Sequence, residues 1–215
     1  MTAVKASRLK KLLESSVPPI RGGLRDLEQY TTPAEIALAM AMHAKLAGML
    51  DGAVVADLGA GTCRIAIAAL LLGASKAVAV DVDERFYGDC LRASRALGLD
   101  GRLSYVVSHI SGGEGPLRRG LLDLVMMNPP FGVWRRGADT EFLEYAMSLR
   151  PRAVIAIVKS GNIGYHEALA RKHGYELRFL GTYEFPIPAS MPRHRRRVLR
   201  IGVDLIELRE QGGAG

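Results

Sequence analysis

The residue types that could bind a nucleoside follow an apolar run that ends at Leu58. Gly59 and Gly61 come directly after this run, and Asp81 ends the next apolar run roughly twenty residues later. Glycines at a strand-to-helix turn let the backbone approach a ligand, and an acid at the end of the second strand can accept both hydroxyls of a ribose. The loop and the acid together predict an adenosine site. The alternative for the loop alone is that its glycines serve packing at a crossover.

Two further residues distinguish between adenosine ligands. The dinucleotide fingerprint expects a third glycine where this chain has Arg64. Asp57, two residues before the first glycine, would repel a pyrophosphate but could hold an ammonium group through bridging donors. S-adenosylmethionine carries an ammonium and a carboxylate and has no phosphate. The loop therefore predicts S-adenosylmethionine as the cofactor.

A second motif, Asn128-Pro129-Pro130-Phe131, follows the fourth apolar run. Two prolines fix the backbone and withhold N–H donors, so nearby carbonyls can accept hydrogen bonds. Such a turn suits an exocyclic amine, which can donate to the Asn128 side-chain oxygen and the Pro129 carbonyl, while Phe131 could stack on the base. We predict catalytic roles for all four residues. In the alternative interpretation the motif only ends a strand, and Phe131 fills the core.

These motifs need a framework of alternating strands and helices. Apolar runs rich in β-branched residues predict strands at 54–58, 77–81, 103–107, 122–127 and 153–158, and helical spacing predicts helices at 64–72, 84–97, 140–149 and 165–173. Runs at 177–185 and 198–208 have no helix between them and should pair antiparallel at the sheet edge. The fourth strand should lie beside the first, which places both motifs at one crevice.

The segment before the first strand is predicted to be helical. Apolar residues at helical spacing predict a leader helix over the first sixteen residues, which Pro18 and Pro19 end. A second helix should begin near Pro33 and run to about Gly48, with Thr32 as its N-cap in a capping box with Glu35.

The predicted fold class is therefore α/β, with a Rossmann-like, doubly wound and mostly parallel seven-stranded sheet, an antiparallel edge hairpin and an N-terminal helical extension. We expect an extension over residues 1–50, a Rossmann-like domain over 51–210 and a flexible tail over 211–215.

Composition narrows the class of protein. The 215 residues are 48% hydrophobic and 24% charged, which disfavours intrinsic disorder, and no apolar stretch is long enough to cross a bilayer. Lysines interrupt the N-terminus where a signal peptide would need an apolar core, so we expect a cytoplasmic protein. Cys63 and Cys90 lie far apart in the chain, and we predict neither a disulfide nor a zinc site. No other metal is predicted.

The net charge of +7 suggests a polyanionic partner. Several arginines lie beside the second motif or in a connector expected at the sheet edge, where they could contact RNA phosphates, with Trp134 as a stacking partner. In the alternative interpretation they form a solvated charge run. The predicted RNA-binding residues are Arg135, Arg136, Arg193, Arg195, Arg196 and Arg197.

Taken together, these residues resemble Class I S-adenosylmethionine-dependent methyltransferases that methylate amino groups. More narrowly, the chain resembles the methyltransferase-like protein 5 family, which N6-methylates an adenosine of small-subunit ribosomal RNA. The resemblance covers about residues 24–208. The segments that carry it are Leu27-Glu28-Gln29-Tyr30-Thr31-Thr32, Asp57-Leu58-Gly59-Ala60-Gly61, Asp81-Val82-Asp83-Glu84, Met127-Asn128-Pro129-Pro130-Phe131-Gly132 and Pro188-Ala189-Ser190.

The resemblance implies roles for individual residues. Gln29 and Thr32 would close over the methionine end of the methyl donor, and Asp81 would take the ribose. The loop would be lined by Gly59, Thr62 and Arg64. Two positions depart from the family pattern: Cys63 replaces a third loop glycine, and His109 stands where an acidic residue commonly faces the adenine amine.

The family also implies RNA as substrate and a small zinc-binding activator subunit as a partner of some members. Two other functions stay open at this stage. One is glutamine N5-methylation of a release factor, which also uses an Asn-Pro-Pro turn, although such enzymes prefer a tyrosine after the prolines. The other is a non-catalytic RNA-binding subunit that keeps the fold.

Overall fold

Strands and helices alternate after an N-terminal helical segment in the computed structural model, which describes residues 3–188 and 198–211. The α-helices of this part are α1 Ala3–Ser16, α2 Ala34–Leu46, α3 Arg64–Leu72, α4 Tyr87–Ala96, α5 Ala138–Ser148 and α6 Ile163–Lys172. The strands are β1 Val54–Leu58, β2 Lys76–Asp81, β3 Leu103–Val107, β4 Leu124–Met127, β5 Ala153–Lys159, β6 Tyr175–Pro188 and β7 Val198–Glu210. Short 3-10 helices span Arg25–Leu27 and Glu84–Phe86.

The strands form one sheet in the order β3-β2-β1-β4-β5-β7-β6. β1 to β5 are parallel, β7 is antiparallel to β5, and β6 pairs antiparallel with β7 at the edge. The predicted fold class and its edge hairpin are confirmed. The chain places β2 and β3 on one side of β1 and then places β4 on the other side, where Leu58 of β1 pairs with Met127 of β4. This switch point brings the loops after both strands to one crevice.

Two apolar clusters cover the two faces of the sheet. On one face, side chains such as Val55 and Met126 pack with residues of α1 to α4, among them Leu13 and Ile67. On the other face, Ala56 and its neighbours pack against α5 and α6. Burial on both faces explains why the central strands are almost continuously apolar. It also explains why their boundaries could be predicted within about two residues.

A disulfide joins Cys63 to Cys90, with their Cα atoms 5.5 Å apart, so the prediction of unpaired cysteines is wrong. Cys63 precedes α3 and Cys90 lies in α4. Both helices cover the same face of the sheet, and this packing brings together two residues that are distant in sequence. Cys63 also has a left-handed backbone with φ 62°, the conformation that glycine adopts most easily.

The predicted capping box at the start of α2 is wrong. The helix begins at Ala34, and the preceding Pro33 makes no side-chain cap hydrogen bond. The Thr32 hydroxyl accepts a hydrogen bond from the Asn128 side chain, and the Glu35 carboxylate pairs with Lys10 at 2.7 Å. Both side chains of the expected capping box therefore bond to residues that are distant in sequence.

Candidate active site

A cavity of about 370 Å³ opens at the carboxyl ends of the central strands. Loops after β1, β2, β3 and β4 form its floor and walls, and residues 20–32 cover it from the N-terminal side. Sequence-predicted residues that line it are Gln29, Thr32, Gly59, Gly61, Thr62, Arg64, Asp81, His109, Asn128, Pro130 and Arg135. The fold thus brings both sequence motifs to one chamber.

The loop after β1 contains the two glycines in left-handed conformations, with φ 71° at Gly59 and 49° at Gly61. A Cβ at Gly61 would lie 3.0 Å from the Ile20 side chain. The Gly61 N–H donates to the Asp81 carboxylate at 2.7 Å. The left-handed conformation favours glycine at both positions, and a Cβ at Gly61 would also require the end of the Ile20 side chain to shift slightly. The loop can therefore present its backbone to the cavity.

Asp81 joins the ends of β1 and β2. Its other carboxylate oxygen accepts from the Asp83 N–H at 2.9 Å, and only 8% of the residue is exposed. Burial raises the pKa of this carboxyl, while the hydrogen bonds from Asp83 and Gly61 lower it. Each carboxylate oxygen has two lone pairs, so Asp81 can hold the loop and still accept from a ligand hydroxyl.

Asp57 lies beneath the loop and does not line the cavity. One of its carboxylate oxygens accepts from the Ala66 N–H at 2.9 Å, near the start of α3. The other has no hydrogen-bond partner within the part of the chain that the structure describes. Complete burial, with a smaller contribution from the nearby Asp81, raises the pKa of Asp57 to about 7, although the hydrogen bond from Ala66 lowers it. The structure gives Asp57 a role in shaping the loop, and its proposed link to an ammonium group stays a prediction.

Asn128 begins the turn after β4, and the nitrogen and oxygen of its side-chain amide have different surroundings. The Nδ2 group donates to the Thr32 hydroxyl at 3.0 Å. The Oδ1 atom is buried and has no hydrogen-bond partner among the described residues. A buried acceptor without a donor is unfavourable by itself, because desolvation is not compensated. This arrangement fits an acceptor reserved for a ligand N–H.

The two prolines and Phe131 differ in position. Pro130 lines the cavity, whereas Pro129 is buried and does not. The Phe131 ring is only 7% exposed and packs edge-to-face against Phe185, with the ring centroids 5.5 Å apart. The ring therefore fills the core in this structure, as the alternative interpretation of the motif holds, and the prediction of an available stacking face is wrong for this conformation.

A model of the ribosomal protein L11 methyltransferase (PrmA) family matches residues 34–86. The chain is 33% identical over 186 residues to the rRNA N6-adenosine methyltransferase Mettl5 of Drosophila melanogaster, a match that covers 83% of this chain and 84% of the relative. The chain belongs to the METTL5 family. The METTL5 protein of Danio rerio is 30% identical over 187 residues, covering 84% of this chain and 87% of its own. The crystal structure of an RNA methyltransferase candidate from Pyrococcus horikoshii has 29% identity and a TM-score of 0.84, with full coverage of both chains. The predicted family is confirmed.

In this METTL5-family chain, the N-terminal segment ties the site together through side chains. Gln29 donates to the Asp83 carboxylate at 2.9 Å and accepts from the Leu24 N–H at 2.7 Å. The Arg64 guanidinium donates to the carbonyls of Val17 and Thr32, at 2.7 and 3.0 Å. Burial lowers the pKa of this guanidinium. Gln29 and Arg64 therefore hold the covering segment on the site as well as lining the cavity.

Asp83 and Glu28 are site residues to which the sequence motifs assigned no role. The hydrogen bond from the Arg85 guanidinium lowers the pKa of the Asp83 carboxyl to about 2, which favours the anionic form that accepts from Gln29. The Glu28 carboxylate accepts from the backbone N–H groups of Phe131 and Trp134. Both acids lie inside segments that carry the family resemblance, and that location was the available signal.

The predicted RNA-binding residues are placed only in part. Arg135 lines the cavity and pairs with Glu141, with the closest contact at 2.8 Å, while Arg136 is exposed. Arg193, Arg195, Arg196 and Arg197 lie outside the described residues. His109 is exposed at the cavity rim. Their contacts with RNA or adenine stay predictions.

Within residues 3–188 and 198–211, no group of three or more histidine, cysteine, aspartate or glutamate side chains could hold a metal ion. No helix in these ranges is long and apolar enough to cross a membrane.

Proposed function

We propose that this chain transfers a methyl group from S-adenosylmethionine to the exocyclic N6 of an adenosine in small-subunit ribosomal RNA. The observation that carries the proposal is the buried Asn128 Oδ1, which faces no donor among the residues that the structure describes, at the turn that lines the cavity. Membership of a family whose relatives are rRNA N6-adenosine methyltransferases supports the same reaction.

The cavity residues fit the proposed methyl donor. Asp81 has acceptor capacity for ribose hydroxyls, and the glycines at 59 and 61 allow the backbone to approach an adenosine. The Thr62 and Arg64 residues follow the loop and line the same chamber. When bound, S-adenosylmethionine supplies an electrophilic methyl group.

The chain's own residues prepare the adenine amine for attack. The Asn128 Oδ1 accepts one of its N–H groups, and the carbonyl of Pro129, a residue that does not line the cavity in this structure, is the predicted acceptor of the other. The two bonds draw the nitrogen toward tetrahedral geometry and localise its lone pair. The same two oxygens stabilise the positive charge that develops on nitrogen. Thr32 keeps the amide oriented because its hydroxyl occupies the Asn128 NH₂ group. After transfer, the nitrogen can lose its proton to water, so no side-chain base is needed.

RNA binding is the second part of the proposal. A target base must leave its stack to reach Asn128, at a cost of a few kcal/mol that backbone contacts can offset. The net charge of +7 favours such contacts, and Arg136 beside the turn is an exposed cation that could supply one. The connector arginines at 193 and 195–197 would extend this surface.

We further propose that the protein acts in the cytoplasm and that a small zinc-binding activator subunit can pair with it along a sheet edge. β3 is an outer strand, and Val107 on it is 52% exposed. An unpaired strand edge presents N–H and C=O groups to which another chain can add a strand. The location repeats the expectation from composition, and the activator subunit rests on the family resemblance.

The function is tested by incubating the protein with isotope-labelled S-adenosylmethionine, ribosomal RNA and total protein in parallel. Nucleoside mass spectrometry should find the label in N6-methyladenosine of the RNA. Label in a glutamine of a protein would support the release-factor alternative. Absence of transfer to either, with RNA binding intact, would favour the non-catalytic subunit.

A further inference from the structure

Glu28 reaches across the molecule to the turn that holds Asn128. Its Oε2 accepts from the Phe131 N–H at 2.6 Å, and its Oε1 accepts from the Trp134 N–H at 3.0 Å. The residue is only 7% exposed, so a carboxylate has been buried to make these two bonds. Its backbone has φ 49°, a left-handed conformation that is unfavourable for a residue with a side chain.

A carboxylate is well suited to this position because it is an acceptor at both oxygens. Among residues 128–131, the two prolines have no N–H, so Phe131 provides the turn's backbone donor after Asn128. Hydrogen bonds from N–H groups to a carboxylate are about twice as strong as those between neutral groups. Glu28 therefore fixes the exit of the turn at two points.

The entrance of the same turn is fixed from the same N-terminal segment. Thr32, four residues after Glu28, accepts from the Asn128 side chain at 3.0 Å. Neither contact uses the Asn128 Oδ1 or a carbonyl oxygen of the turn, because the groups that donate are the Asn128 NH₂ group and backbone N–H groups. A turn held at both ends keeps these acceptors in place before substrate arrives, which is the condition for effective electrostatic catalysis.

We propose that Glu28 is a positioning residue for methyl transfer, which holds the Asn128-Pro129-Pro130-Phe131 turn in its reactive geometry without contacting the adenine. This inference rests on the proposed function for its catalytic consequence. The anchoring itself concerns only the folded chain and can be tested without activity.

The test compares Glu28→Gln with the matched control Glu35→Gln, which changes an exposed glutamate on α2. Glutamine has the same shape but only one acceptor, and its NH₂ group would face a backbone N–H. Because small misplacements of reacting groups can cost about a hundredfold, we expect kcat to fall about 10- to 100-fold. The affinity for S-adenosylmethionine and its KM should stay near the wild-type values. Glu35→Gln should match the wild type.

A fluorescence measurement reports the turn without any reaction. Trp134 is the single tryptophan of the chain, and its backbone N–H is one of the two that donate to Glu28. In Glu28→Gln, its emission maximum should shift and acrylamide should quench it more readily, whereas Glu35→Gln should leave both unchanged. This readout remains valid if the wild type methylates no RNA, a result that would defeat the proposed function alone.

Several outcomes would overturn the inference. One is an unchanged Trp134 emission in a folded Glu28→Gln protein. Another is an altered emission with an unchanged kcat in an active enzyme. If Glu28→Gln does not fold, Glu28→Asp, which keeps the carboxylate, replaces it. Loss of folding and of donor binding in both variants would assign Glu28 to stability and not to positioning.

Discussion

At the scale of the residue, the site depends on how one amide is oriented. The Asn128 NH₂ group is committed to Thr32, so the oxygen is left for the substrate. An amide turned the other way would present two donors to an amine that also donates. In this structure the Thr32 hydroxyl accepts from the NH₂ group, and this bond supports the orientation in which Asn128 can act as an acceptor.

Replacing Thr32 by valine keeps the shape of the side chain and removes this acceptor. Loss of a partner for a buried polar group costs about 1–3 kcal/mol, so we expect the methylation rate to fall about tenfold or more. Thr32→Ser keeps a hydroxyl and should remain close to the wild type. Both variants are to be compared by kcat on RNA and by calorimetric binding of the methyl donor. Equal rates for valine and serine would show that the hydroxyl does not orient Asn128.

The raised pKa of Asp57 predicts that the free energy of unfolding depends on pH. Its pKa is raised by burial from an ordinary value of 3.8 to about 7, so the folded state binds more protons than the unfolded state between these values. The contribution of Asp57 to stability is therefore fully present below pH 4 and is lost as the pH rises toward 7. Asp57→Asn is neutral at every pH and lacks this loss.

The measurement is the free energy of unfolding of both proteins by urea from pH 4 to pH 7. The stability of Asp57→Asn relative to the wild type should increase steadily over this range. Because the other ionisable groups are common to both proteins, the difference isolates Asp57. A constant difference would show that the carboxyl is not destabilised by burial.

Single residues were predictable from the sequence where the backbone or a motif constrains them. Gly59, Gly61 and Asn128 are of this kind, since few other residues satisfy the same conformation or hydrogen-bonding need. The destination of a long side chain was not predictable, because it depends on which distant element lies within reach. Glu28 binding the Phe131 N–H and Phe131 packing on Phe185 are examples.

At the scale of the element, the glycine loop is held by a disulfide as well as by hydrogen bonds. Cys63 has a left-handed backbone, and its bond to Cys90 connects the start of α3 to α4. This cross-link compensates for a side chain in the left-handed conformation.

Removing the disulfide should lower stability. A closed loop of 27 residues corresponds to about 3.5 kcal/mol in the chain-entropy description. We expect the melting temperature of the Cys63→Ala/Cys90→Ala protein to fall by about 7–14 °C. Cys63→Gly/Cys90→Ala should recover about 1 kcal/mol of this, because glycine accepts the positive φ without strain. Thermal denaturation with and without reductant tests both. A wild type insensitive to reductant would contradict the cross-link.

Central strands were predicted well because burial on both faces leaves a clear apolar run, as in β1, whose bounds match the structure. Local end signals were less informative. The residues from Glu84 form a 3-10 turn before α4 begins at Tyr87, and Thr32 serves Asn128 in place of α2. The disulfide was missed because sequence separation says nothing about which helices share a face.

At the scale of the whole molecule, the N-terminal segment and the sheet form one site. The segment supplies Glu28 and Thr32 to the turn after β4, and Gln29 to Asp83 after β2. The sheet alone would present the glycine loop and the acceptor turn, but their relative positions would lack these bonds. The extension that composition and periodicity describe only as a helical leader is thus part of the reaction site.

The positive charge of the chain has a partial structural explanation. Arg136 and the exposed Trp134 lie just after the reaction turn, whereas Arg135 is already paired with Glu141. The excess charge is therefore partly local to the proposed RNA surface. The contribution of the connector arginines can be measured as the dependence of RNA affinity on salt concentration. Each phosphate contact makes the plot of log affinity against log salt concentration steeper.

The Asn128 Oδ1 is proposed to accept a hydrogen bond from the adenine amine during methyl transfer, and this is the central claim. It is tested most directly by single-turnover methylation of small-subunit ribosomal RNA, comparing wild type with Asn128→Ala at saturating S-adenosylmethionine. We predict that N6-methyladenosine forms at a rate lowered about a hundredfold or more in the variant, the effect of losing one preorganised hydrogen-bonding group. Donor affinity should be largely kept. An unchanged rate of N6-methyladenosine formation in the folded variant would contradict the account.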